Sequence, residues 1–265
     1  MFTQAIVRPP APNFAEGLTT AGLGLPDYQR ALEQHEAYCA ALKQCGLTLT
    51  SLEPEPGYPD STFVEDVAVV TSRFAVLTRP GAPSRAGEIE SARKVLATFF
   101  PALHEIQPVG TLDGGDICQV GDDFFIGISA RTNEAGAQQL ARILQSNGYS
   151  STLVDITRQS SEPEATATPS LLHLKSGMAY LGSNRLAVID ALAWHPKFAD
   201  YDLVHVNSGE EYAANCVRIN DYILIAAGYP KLQADLRDLE YRTIALEISE
   251  FRKMDGGLSC LSLRF

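Results

Sequence analysis

Between residues 63 and 100 the spacing of the hydrophobic positions changes character. Two short apolar runs, 63–70 and 74–79, are separated by a Ser72-Arg73 turn. Turn-bounded runs of this length predict the two strands of a hairpin. From 88 to 100 the apolar residues Ile89, Ala92, Leu96 and Phe100 recur at helical spacing, which predicts an amphipathic helix. The same order of strand, turn, strand and helix returns at 114–120, Gly121-Asp122-Asp123, 124–128 and 133–145. Asp66 and Asp116 fall at equivalent places in these two copies. A third copy runs over 177–181, a Gly182-Ser183-Asn184 turn and 186–189. A fourth takes in 215–219, an Asn220-Asp221 turn, 222–225 and a helix over 230–241. The fifth begins at 257–265 and then the chain ends, but residues 5–8 at the N-terminus supply its second strand and would close a ring.

Closing the ends onto each other removes exposed sheet edges, as radially repeated folds do. The pattern therefore predicts one α/β domain over residues 1–265, a propeller of five repeats, with a further amphipathic helix over 27–44. The alternative is a stack of unrelated hairpins in an open α+β sheet. One step between copies is longer than the others, and its excess lies in the polar, proline-containing stretch 158–169 just ahead of His173. That stretch reads as a surface loop.

Composition narrows the partners more than the fold. A hydrophobic fraction of 45% with 20% charged residues is that of a folded globular chain. The net charge of −11 argues against nucleic acid, whose phosphates need clustered Lys and Arg, and suits a small cationic substrate. No signal-like segment and no run of about 18 apolar residues occurs, so a cytoplasmic protein with no membrane partner is expected. A homodimer is compatible with the sequence, which sets no oligomeric state. The 5 cysteines, Cys39, Cys45, Cys118, Cys216 and Cys260, are odd in number and lack metal-type pairing, which predicts reduced and mostly buried thiols.

Among the histidines, His35, His195 and His205 sit in helical or apolar surroundings that predict structural or surface roles. His173 lies in Leu171-Leu-His-Leu-Lys-Ser176, on a short strand leading into the third copy, at a place equivalent to Asp113 and Asp60. Cys260 follows paired glycines in Asp255-Gly-Gly-Leu-Ser-Cys260. A thiol of ordinary acidity needs a base or a cationic neighbour to become a nucleophile, and His173 is the available candidate. Asp60, Glu65, Asp66, Asp113 and Asp116 recur at strand starts although acidic residues are poor strand formers. In a ring, strand starts converge, and these residues would meet His173 and Cys260 there. A divalent metal held by oxygens is the alternative, but no compact ligand motif is present, and neither metal nor organic cofactor is expected.

Seven ordered segments carry a family resemblance: Pro59-Asp-Ser-Thr-Phe-Val-Glu-Asp66, Thr78-Arg-Pro-Gly-Ala-Pro-Ser-Arg85, Thr111-Leu-Asp-Gly-Gly-Asp116, Ser129-Ala-Arg-Thr-Asn133, Leu172-His-Leu-Lys-Ser176, Tyr212-Ala-Ala-Asn-Cys216 and Asp255-Gly-Gly-Leu-Ser-Cys260. Together they resemble the dimethylarginine dimethylaminohydrolase family. The resemblance implies the guanidine-modifying (pentein) superfamily, with a five-bladed, pseudo-symmetric α/β propeller of ββαβ-type repeats around a central channel. It implies a catalytic triad of Cys260, His173 and Asp113. Asp66 with Glu65 would hold the guanidinium, and Arg85 and Arg131 the substrate α-carboxylate. Asp60, with the backbone carbonyls of Leu18 and Met254, would hold the α-amino group. The expected reaction converts methylated free arginine to citrulline through a covalent S-alkylthiouronium on Cys260. The rivals are an arginine deiminase on the same scaffold and a non-catalytic arginine-binding protein.

Overall fold

In the computed structural model, residues 1–157 and 171–265 are described, so the polar loop expected at 158–169 lies outside the described residues. The repeating pattern becomes five three-stranded sheets among them. The first blade holds β3 (Ala68–Val70), β4 (Ala75–Leu77), α2 (Ile89–Phe99) and β5 (Leu103–Glu105); the second holds β6 (Ile117–Val120), β7 (Asp123–Ile128), α3 (Glu134–Ser146) and β8 (Ser150–Asp155). The third is β9 (Met178–Gly182), β10 (Arg185–Ile189), α4 (Asp190–Ala193) and β11 (Asp202–Val206). The fourth is β12 (Val217–Ile219), β13 (Tyr222–Ala226), α5 (Pro230–Asp238) and β14 (Arg242–Leu246), after which α6 (Ser249–Arg252) leads to the fifth. That blade joins β15 (Ser262–Arg264) to β1 (Gln4–Val7), α1 (Tyr28–Gln44) and β2 (Thr48–Ser51).

In every blade the middle strand pairs antiparallel with the first and parallel with the third. The antiparallel register Ala5↔Arg264, Ile6↔Leu263 and Val7↔Ser262 is the predicted closure of the ring. Middle strands are covered on both faces, and Leu186, Ala187 and Val188 are fully buried, which is why they read as unbroken apolar runs. The hairpins turn on residues that tolerate positive φ: Gly121 at 66°, Asn184 at 60° and Asn220 at 53°. Helix starts follow the side-chain chemistry as well. Asp27 caps α1 by accepting the Arg30 N–H at 2.9 Å, and Asn133 caps α3 by accepting the Gly136 N–H at 2.8 Å.

The structure differs from expectation where each blade begins. The expected strand starts at 64–67, 114–116, 174–176 and 259–261 are short 3-10 turns, Val64–Val67, Gly114–Asp116, Leu174–Ser176 and Ser259–Leu261, and a fifth such turn, Glu211–Ala214, precedes the fourth blade. Asp60 lies on a separate 3-10 turn, Pro59–Thr62, so it is not the equivalent of Asp113 and His173. Those two do match, each capping the turn of its blade in extended conformation rather than sitting within a strand. A strand would commit its N–H groups to a neighbouring chain, whereas a turn leaves them free to meet carboxylates. Among the described residues no helix is long and apolar enough to cross a membrane.

Candidate active site

The turns of the first three blades put three titratable side chains in one place. Ligand atoms of Asp66, Asp113 and His173, all buried, lie within 4.8 Å of one another. His173 Nε2 meets Asp113 Oδ2 at 3.1 Å, while Asp113 Oδ1 accepts the Gly81 N–H at 2.8 Å. Asp66 Oδ1 accepts the Gly115 N–H at 2.9 Å and its Oδ2 accepts Arg85 Nη1 at 2.6 Å. Gly115 is required here. A Cβ built on it would stand 2.6 Å from His173 Nδ1 and 3.0 Å from Asp66 Oδ1, closing the space between imidazole and carboxylate. Burial alone would pull the His173 pKa down, but the Asp66 charge, the bond to Asp113 and the Asp116 charge prevail and hold it at about 9. Burial likewise opposes ionisation of Asp66, yet His173 and Arg85 bring it down to about 2. The site therefore rests as an imidazolium beside a carboxylate.

Cys260 lies on the Ser259–Leu261 turn, with its sulfur accepting the Gly257 N–H at 3.4 Å. Burial pushes its pKa up to about 12, and the negative charges of Glu65 and Asp66 add to that effect. A cation seated beside those carboxylates would reverse the last two causes. Cys260 and His173 line the same cavity of about 870 Å³, together with Gly115, Trp194, Tyr212 and Asp255. A second cavity of about 640 Å³ is lined by Glu65 and Arg264 and shares Lys175, Asn215 and Ser259 with the first as a common wall. Glu65 is the hub of that wall: Oε2 accepts Ser259 Oγ at 2.7 Å, and Oε1 pairs with Lys175 Nζ at 2.6 Å and Arg264 Nη2 at 3.0 Å. Asn215 fixes the nucleophile's turn by accepting the Ser259 N–H at 2.9 Å and donating to Ser259 Oγ at 3.0 Å.

The remaining expected residues divide. Asp60 accepts the Leu18 N–H at 3.0 and 3.2 Å. A Cβ placed on neighbouring Gly17 would touch both Asp60 Oδ1 and Met254 Cε, so Leu18, Asp60 and Met254 are brought together. Neither the Leu18 nor the Met254 carbonyl accepts a hydrogen bond from a described residue. Arg131 is half-buried, and its guanidinium makes no hydrogen bond to a described residue. Arg85 is different. Its Nε donates to Glu88 Oε1 at 3.0 Å, its Nη2 to Glu88 Oε2 at 2.8 Å and the Phe63 carbonyl at 3.1 Å, and its Nη1 to Asp66. Arg85, expected as a carboxylate anchor, is paired with Glu88 and Asp66 in the wall behind Asp66. Glu88 was not singled out in the sequence, although its i,i+3 spacing from Arg85 is a readable signal. Burial raises its pKa to about 7 against the opposing Arg85 charge. Among the described cysteines other than Cys260, three are buried and Cys39 is half-buried; burial raises the pKa of each, to about 11 for Cys39, Cys45 and Cys118 and about 12 for Cys216.

Comparison with known proteins finds relatives along the whole chain. The arginine deiminase family model matches residues 90–192. The dimethylarginine dimethylaminohydrolase of Pseudomonas aeruginosa is 44% identical over 266 residues, covering 100% of both chains. That of Streptomyces coelicolor is 34% identical, covering 98% of this chain and 96% of its own. The solved structure of a cysteine-to-serine variant of the Pseudomonas enzyme with citrulline superimposes with a TM-score of 0.94 at 43% identity, over 100% of each chain. Full-length identity at this level, on the same five-bladed frame, places the chain in the dimethylarginine dimethylaminohydrolase family.

Proposed function

We propose that the chain hydrolyses the guanidinium of free N-methylated arginine to citrulline and methylamine or dimethylamine, with Cys260 as nucleophile. The observation that carries this reading is the pairing of His173 with Asp113 in a buried acidic site that shares one cavity wall with Cys260. Arg131 takes the substrate α-carboxylate, since its planar donor fork makes no hydrogen bond to a described residue, and Asp60 with the Leu18 and Met254 carbonyls takes the α-amino group. The guanidinium sits against Asp66, within the negative field that Glu65 reinforces.

That cation lowers the Cys260 pKa, because it neutralises the two carboxylate charges that raise it. The thiolate sulfur then bonds to the guanidinium carbon. His173, protonated at rest, gives its proton to the departing amine as the C–N bond breaks, leaving an S-alkylthiouronium on Cys260. Neutral His173 next takes a proton from water, whose oxygen attacks the same carbon. The C–S bond breaks and citrulline leaves, the new hydroxyl on carbon giving up its proton to restore the thiol whose own proton had gone to solvent. Asp113 orients the ring throughout and stabilises its charged form.

The test is citrulline formation by the purified chain from asymmetric dimethylarginine, monomethylarginine and arginine in parallel. Turnover of the methylated substrates, lost in Cys260→Ser, is the expected result. Preference for arginine would make the enzyme a deiminase, and no citrulline from any of the three would defeat the proposal.

A further inference from the structure

We infer that Asp116 is a positioning residue for this site: one fully buried carboxylate ties together the backbone segments that carry His173, Asp113 and Arg131, while its own side chain bonds to none of the three. Its Oδ1 accepts the N–H of Leu174, the peptide that directly follows His173, at 2.9 Å. Its Oδ2 accepts the Ser129 hydroxyl at 2.7 Å and the Thr132 hydroxyl at 2.6 Å, the residues that bracket Arg131. Each hydroxyl relays the tie. Ser129 Oγ accepts the N–H of Arg131 at 3.0 Å and of Thr132 at 3.1 Å, and Thr132 Oγ1 accepts the N–H of Asp113 at 3.1 Å.

The surroundings are shaped to this arrangement. Asp116 has no exposed surface, and a Cβ on Gly127 of β7 would come within 3.0 Å of Asp116 Oδ1 and 2.9 Å of Leu174 Cβ. Only a bare backbone lets β7 approach the carboxylate and Leu174 that closely. All three donors are neutral, so they fix geometry and do not cancel the charge. Burial pushes the Asp116 pKa up, against the opposing His173 charge and these hydrogen bonds. When ionised, Asp116 also favours the His173 imidazolium. Its influence on the site is therefore both a matter of place and of field, and the two can be separated by substitution.

The inference rests on the roles given above to His173, Asp113 and Arg131. Its test compares Asp116→Asn, Ser129→Ala and Thr132→Val with the wild-type chain, after circular dichroism has shown which variants are folded. Kinetic constants, the pH profile of citrulline formation and an NMR titration of the His173 ring are measured for each. Asp116→Asn keeps an acceptor for Leu174 but loses the charge; a fall in kcat of about tenfold, a raised KM and a His173 titration moved to lower pH are expected. Ser129→Ala loosens only the Arg131 arm and should raise KM about tenfold with little change in kcat. Thr132→Val releases the Asp113 backbone and should move the high-pH limb down. A folded Asp116→Asn variant with wild-type constants, pH profile and titration overturns the inference. If that variant does not fold, the hydroxyl variants decide: unchanged behaviour in both overturns it, and the split just described supports it. A wild-type chain without citrulline-forming activity defeats the functional proposal instead. The His173 titration still tests Asp116 in that case, and an unmoved value would overturn the positioning role.

Discussion

Asp66 and Asp116 occupy corresponding turns of the first and second blades, yet their acidities are pushed in opposite directions. Asp66 faces His173 and Arg85, and those cations overcome burial and bring its pKa to about 2. Asp116 receives two hydroxyls and one peptide N–H, and burial wins, raising its pKa. The repeated backbone supplies the same slot twice. Partners drawn from elsewhere in the chain decide whether the slot holds a working charge or a joint. The same divergence separates Glu65 from its neighbour Asp66: Glu65 turns to Lys175, Arg264 and Ser259 in the wall between the cavities.

The largest effect comes from removing the cation that both aspartates face. His173→Asn should lower kcat by about 10²–10⁴-fold, the usual contribution of a positioned acid or base. Citrulline formation within tenfold of wild type would end the case for treating Asp66 as part of the chemistry. Next, turnover itself should fall as pH rises through about 9, since the proton donor is the His173 imidazolium. Asp66→Asn removes the largest of the influences that raise His173, so that limb should move towards 6.5; an unmoved limb would break the contrast with Asp116.

Stability follows the same two groups in opposite directions, and denaturant titrations across pH would reveal it. The His173 contribution is complete below its unfolded value of 6.5 and is lost as pH rises through about 9. The Asp66 contribution is complete above 3.8 and is lost as pH falls through about 2. A stability that did not decline between 6.5 and 9 would show that His173 is not held up by its neighbours. The smallest effect belongs to a control in the ring closure that makes no hydrogen bond to either aspartate. Tyr38 Oη bonds to Ser262 Oγ of β15 at 2.6 Å, and Tyr38→Phe should cost about 1 kcal/mol of unfolding free energy with kcat unchanged. A changed kcat would mean that closure of the fifth blade reaches the site.

Much of this was legible in advance because it is local. Turn-bounded apolar runs identified the hairpins, helical spacing placed helices over 27–44 and 133–145 whose first residues prove to be the caps Asp27 and Asn133, and the two chain ends predicted the pairing of β1 with β15. The third, parallel strand of each blade was less visible, because short segments such as Leu103–Glu105 and Ser150–Asp155 are only partly buried and mix polar with apolar residues. His173 and the carboxylates were recognised as site candidates, but their turns were read as strands, since a 3-10 turn of three or four residues is too short to impose a period.

By itself the sequence determined the repeat, the closure and the set of reactive side chains, since each depends on residue type and spacing along a short stretch. Only the tertiary structure decided what those side chains do. Adjacent residues such as Glu65 and Asp66 diverge to different partners, Arg85 is taken up by Glu88 and Asp66, and Asp116 reaches segments from two blades. Charge and hydrogen bonding act over a few ångströms of space, and in a closed ring those ångströms are spanned by residues far apart in the chain.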